Sequence, residues 1–139
     1  MRRLYLCFAA ILFLAACGAA EPKWDSDEAV AQARYAHDGP PSITLYTVLA
    51  TRDGSGAHAG LLINGSQRVM FDPAGTWHHP RLPERNDVHF GMTPLMLDFY
   101  LDYHARETFD IVEQTVIVSP EVAELVMRRA MHSSRHIPR

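Results

Sequence analysis

The chain has 139 residues, 47% of them hydrophobic, and a formal charge of −3 at pH 7. That length supports one small domain and not two, and a mildly acidic chain without a basic stripe is unsuited to nucleic acid. Its two cysteines, Cys7 and Cys17, both lie near the start, which excludes a disulfide scaffold in whatever folds beyond them.

The first element is Arg2-Arg3 followed by an apolar run from Leu4 to Leu14 and the small residues Ala15-Ala16. A positive start, a short apolar stretch and small side chains before a cleavage point are the parts of a secretory signal. The run is too short to span a bilayer comfortably. Leu14-Ala15-Ala16-Cys17-Gly18 resembles the lipobox of bacterial lipoproteins. The resemblance implies a signal peptide over residues 1–16, cleavage before Cys17, a diacylglycerol on its thiol and a third acyl chain on the new amine. Each buried methylene contributes about 0.8 kcal/mol and stable anchoring takes about two chains, so such an anchor is effectively permanent. The implied place is a bacterial membrane facing the periplasm, and Gly18, where an acidic residue would retain the protein, favours the outer membrane. Loss of Arg2 and Arg3 would take the formal charge from −3 to −5 and leave the folded part without a thiol.

Residues 17–41 are expected to be the lipidated N-terminus, a tether and a short helix. Ser26 is its N-cap, Asp27 and Glu28 occupy its first turn, and Ala29, Val30, Ala33 and Ala36 form its apolar side. Asp38-Gly39-Pro40-Pro41 stops it. Residues 42–50, dense in β-branched and aromatic side chains, read as a strand. After a glycine-bearing loop, residues 58–63 and 67–72 flank Asn64-Gly65, the strongest local signal for a hairpin. Residues 73–91 read as one long loop of the kind that binds or covers a site. Thr93-Pro94 opens a helix with Leu95, Met96, Phe99 and Tyr103 as its buried side. Residues 108–118 form another strand, and Ser119-Pro120 opens a last helix striped by Val122, Leu125, Val126 and Ala130. This order predicts an α+β domain over 42–139: a small antiparallel sheet with helices packed on one side.

His58 stands where a mobile loop enters a strand, and an imidazole there can serve as a general base. The plainer reading is a strand-end histidine bonded to backbone. Asp72 ends the partner strand and can orient the imidazole if the register allows. With Ile63 opposite Ser66 across a two-residue turn, His58 faces Phe71 and Asp72 points away; a one-residue shift sets His58 opposite Asp72. Asp72-Pro73 is equally readable as a turn starter. Trp77, His78 and Phe90 are candidate binding residues, the rings suited to stacking on a sugar or acyl chain or simply to closing over the core. His78, His79, His89, Asp72 and Asp87 contain metal-ligating groups, but their spacing matches no ligand pattern, so no metal or cofactor is expected.

His58-Ala-Gly-Leu-Leu-Ile followed by Arg68-Val-Met-Phe-Asp-Pro-Ala-Gly75 resembles the permuted branch of the NlpC-type, papain-like cysteine peptidase superfamily, which includes envelope lipoproteins and relatives of lecithin retinol acyltransferase. The resemblance implies a partial permuted papain-like fold with a catalytic histidine opening an early strand, a polar residue on the next strand, and a nucleophilic cysteine later on a helix. His58 and Asp72 match the first two roles. No cysteine follows Cys17, so the expectation is an amide- or acyl-hydrolase-type domain that is inactive or a fragment. Ser133 and Ser134, at a helix end, are poor replacements, because serine needs both a base and a prepared oxyanion site. The expected partners are the membrane, through Cys17, and peptidoglycan or lipid. The other expectation is a non-catalytic binding or assembly lipoprotein that uses residues 73–91 as its contact surface.

Overall fold

The computed structural model describes residues 23–73 and 75–133; the signal segment, Cys17 and Ser134 lie outside them. Ser26 caps α1 (Asp27–Gln32), its Oγ accepting from the Ala29 N–H at 3.2 Å. The helix stops at Gln32, short of Ala36, and buries none of its residues. There follow β1 (Ser42–Ala50), β2 (Gly56–Asn64), β3 (Arg68–Phe71), β4 (Glu84–Arg85), β5 (Val88–Phe90), α2 (Pro94–His104), β6 (Phe109–Ile117) and α3 (Pro120–Ser133). The caps read from Thr93 and Ser119 are formed, each side chain accepting from a backbone N–H three residues on.

The six strands make one antiparallel sheet in the order β4-β5-β3-β2-β1-β6, and the domain is α+β. Two expectations change. Residues 73–91 are not all loop: β4 and β5 extend the sheet past β3, being only 2 and 3 residues long and so too short to show an alternating pattern in sequence. The helices also divide between the two faces. On one, Tyr46, Leu62 and Met70 pack with Trp77, Leu82 and Met92 under Met96 and Tyr100 of α2. On the other, Ile63, Val69, Val88 and Phe90 pack with Met127 and Ala130 of α3, joined by Val30 of α1.

Both long helices are turned from their expected faces. In α2 the buried residues are Met96, Tyr100 and His104, while Leu95, Phe99 and Tyr103 are 53%, 41% and 37% exposed. In α3 they are Ala123, Met127 and Ala130, with Val122 and Leu125 outside and Val126 only partly buried. The two alanines let α3 lie close to the sheet, which outweighs the larger side chains of the neighbouring stripe.

Two features of the sheet bear on function. β3 pairs only with Leu61 to Asn64 of β2, so among the described residues the first half of β2 is laddered to β1 alone. The β1 to β2 register also slips between Val48 and Leu49, and Val48 is the partner of His58. Such a bulge bends a strand and re-aims the side chains beside it.

His89, opposite Met70 on β5, is 2% exposed, its ring edge-on to Trp77 at 5.0 Å and its Nδ1 without a hydrogen-bond partner. Burial pushes its pKa down from 6.5 to about 4. Between those values the unfolded chain takes up a proton that the native one refuses, so stability is full above pH 6.5 and falls as pH drops toward 4. Urea unfolding is expected to show about 2 kcal/mol less stability at pH 5 than at pH 7 from this group, a slope that His89→Leu flattens. An unchanged slope in the variant would assign the pH dependence elsewhere.

Candidate functional site

The β2–β3 hairpin closes with Asn64 opposite Arg68 and Leu61 opposite Phe71, leaving residues 65–67 as a three-residue loop. Neither expected register is therefore the real one. The reason is tertiary: Glu124 of α3 accepts from the Ser66 N–H at 2.5 Å, and its Oε1 lies 2.6 Å from where a Cβ on Gly65 would be. A helix on the far face fixes the loop, overriding the local Asn-Gly preference. Continued past Phe71, this register brings Asp72 level with Gly60, two residues from His58 on the same face of the sheet.

His58 Nε2 contacts Asp72 Oδ1 directly. The Asp72 side chain is fully enclosed, whereas that of His58 is 20% exposed. Enclosure pushes the Asp72 carboxyl above its ordinary range, opposed by the His58 and His104 imidazoles. Two glycines make room for this arrangement. A Cβ on Gly75 would fall 2.1 Å from Asp72 Oδ2, and one on Gly60 would fall 2.1 Å from the Tyr100 hydroxyl. Since Nε2 is engaged by the carboxylate, Nδ1 is the nitrogen of His58 available to a reacting partner.

His104, in the last turn of α2, stacks on His58 with ring centroids 5.0 Å apart and planes 6° from parallel. Its Nδ1–H donates to the Tyr100 carbonyl at 2.8 Å, which makes Nε2 the free nitrogen. Burial holds its pKa below the usual value. Around the pair opens a cleft of about 290 Å³, lined by Thr76, Tyr103, His104, Arg106 and Phe109 as well as His58. Thr76 Oγ1 and the Tyr103 hydroxyl are 3.1 Å apart, and the Arg106 guanidinium lies 4.2 Å from the centre of the Tyr103 ring. That hydrogen bond, with Arg106 beside it, lowers the Tyr103 pKa.

No family model matches this chain, and no curated protein or solved structure matches it significantly.

The residues expected in the site separate into two groups. His58 and Asp72 meet; the binding candidates do not. Trp77 is 6% exposed, its ring edge-on to Tyr100 at 5.2 Å, and Phe90 is 1% exposed in the core on the opposite face. Pairing of β5 with β3 turns Phe90 toward α3, so it does not line the His58 cleft, and neither does Trp77. His78 is exposed but does not line the cleft. Ser133 is exposed at the end of α3, the helix on the opposite face from His58. The sequence singles out neither His104, Thr76 nor Arg106, and it offers Tyr103 only as part of a buried helix side. The signal available for them was the polar run closing α2, Tyr103-His104-Ala105-Arg106.

His78, His79, His89 and Asp87 do not gather into a ligand set. Among the described residues, the group whose donors converge is His58, Asp72 and His104, all within 4.8 Å of one another.

Proposed function

We propose that the chain is a lipid-anchored protein of the bacterial cell envelope whose cleft at His58 is a hydrolase-type site acting on an amide or acyl ester. The observation that carries this reading is the contact between a partly exposed imidazole and a fully enclosed carboxylate at the edge of a cleft. A carboxylate in that position fixes the tautomer and orientation of the ring and stabilises the imidazolium. The order of parts, a histidine early in one strand and its acid at the end of the next, supports kinship with the permuted papain-like enzymes.

Residues 18–139 hold no cysteine, and the attacking group we assign to this cleft is water. His58 takes a proton from the water as its oxygen bonds to the carbonyl carbon, and returns it to the leaving amine or alcohol as the old bond breaks. Attachment through Cys17 would hold the cleft near the membrane and wall, which makes a peptidoglycan peptide or a lipid acyl group the plausible substrate class. No helix among the described residues is long and apolar enough to cross a membrane. In the binding-protein reading, with Trp77 and Phe90 buried, the contact surface would be the same cleft.

The test uses full-length protein extracted from membranes and assayed on short-chain aryl esters and acyl amides. His58→Ala is expected to lower kcat/KM about 10²- to 10⁴-fold, and digestion of the same sample to release an acylated peptide beginning at Cys17. Equal rates in wild type and variant would remove the hydrolase reading; an intact 1–16 segment would remove the anchor.

A further inference from the structure

We propose that His58, Asp72 and His104 together bind one divalent transition-metal ion, with zinc the best match. Two imidazoles and one carboxylate form the donor set of many catalytic zinc sites, in which three protein ligands leave a fourth position for water or substrate. Here that fourth side is the cleft.

Three observations converge. The donor atoms lie within 4.8 Å of one another, and ligands about 2.1 Å from a tetrahedral ion stand about 3.4 Å apart, so ring movements of about 1–1.5 Å complete the set. Asp72, 2% exposed, has its Oδ2 buried with no hydrogen-bond partner; the Tyr100 hydroxyl faces the carboxylate, and neither atom completes a bond of normal geometry. A buried carboxylate oxygen left this way is costly, and a cation satisfies it. Finally, the backbone carbonyl of Tyr100 holds His104 by Nδ1, which is how a ligating histidine is usually fixed, with its other nitrogen turned toward the ion. Without an ion, a histidine and an aspartate aimed at one point come together as the direct contact seen between His58 and Asp72.

The inference deepens the proposed function, since the ion would activate the water that no side chain replaces, and it rests on that reading only for the outcome of the chemistry. With the ion bound, His58 would be a ligand in place of the base assigned to it above, and the metal would acidify the bound water, toward a pKa of about 7.

The test is metal uptake by full-length, chelator-stripped protein in detergent, read by calorimetry with Zn²⁺ and by the visible absorption of Co²⁺. Wild type is expected to take up one equivalent and to show the intense bands of a tetrahedral site. His104→Gln should weaken binding about 100-fold while leaving the melting temperature in EDTA unchanged. Should that variant fail to fold, Asp72→Asn serves, with the same loss of affinity expected. Uptake well below one equivalent overturns the proposal. So does uptake that survives both variants and disappears when His78 and His79 are replaced. The two readings fail separately: ester hydrolysis persisting in stripped protein, with no uptake, sinks the metal and keeps the hydrolase, whereas uptake with no hydrolysis does the reverse.

Discussion

Asp72→Asn is expected to raise the melting temperature by a few degrees, in chelator, while cutting hydrolysis at the His58 cleft by about 10²- to 10⁴-fold. Opposite changes in stability and rate are the signature of a carboxylate kept for chemistry at the expense of the fold. The Asp72 carboxyl is sealed from water and one of its oxygens has only the poorly aligned Tyr100 hydroxyl beside it, so its charge is carried at a penalty that the isosteric amide does not have. Removing one member of a buried ion pair is usually destabilising because a charge is stranded. Here His58 keeps 20% of its side chain exposed, so water reaches the ring that remains and the partner is not stranded in the interior. The amide can present its NH₂ to His58 where the carboxylate presented an acceptor, and the ring then sits in the wrong tautomer to take a proton. Thermal melting and ester hydrolysis on the same sample check both halves. Loss of stability with rate intact would make Asp72 a turn residue and nothing more.

Tyr100→Ala is expected to cost roughly 3–5 kcal/mol, enough to leave a small domain of about 5–15 kcal/mol barely folded. The ring is 1% exposed and touches Trp77 edge-on at 5.2 Å, Tyr46 at 6.5 Å and His104 at 4.3 Å. It thus ties the core under α2 to the site. Tyr100→Phe separates the ring from its oxygen. The hydroxyl faces the Asp72 carboxylate without a bond of normal geometry and occupies the space that Gly60 leaves open, so its removal is expected to be nearly neutral. Burial and the Asp72 charge both hold Tyr100 protonated throughout the accessible pH range. Urea unfolding of the two variants gives the comparison. A loss near 2 kcal/mol for the phenylalanine would mean that the hydroxyl anchors Asp72 after all.

What the sequence reveals of this fold is mostly its punctuation. Ser26, Thr93-Pro94 and Ser119-Pro120 mark helix starts because capping depends on residues within one turn, and Asn64-Gly65 marks a hairpin. Residues 42–50 and 108–118 announce strands by composition. The hairpin register escaped because it depends on Glu124, far along the chain, reaching the Ser66 N–H. The face of α2 escaped because Leu95, Leu97, Phe99 and Leu101 leave hydrophobicity on all sides of that helix, and the buried positions go to Tyr100 and His104, the two residues the site needs. His58 and Asp72 could be paired on paper because fourteen residues and one hairpin separate them. His104 could not, since nothing local says which histidine of the later chain returns to the first.

The half of β2 that carries His58 is stitched to the sheet along one margin only, its other flank meeting the Asp72 turn instead of a strand. Loosening that segment breaks one row of backbone bonds where the same excursion farther along would break two. Breathing is therefore easier at the reactive end of this strand than at its other end, which gives a substrate room to enter beside a sheet that stays paired.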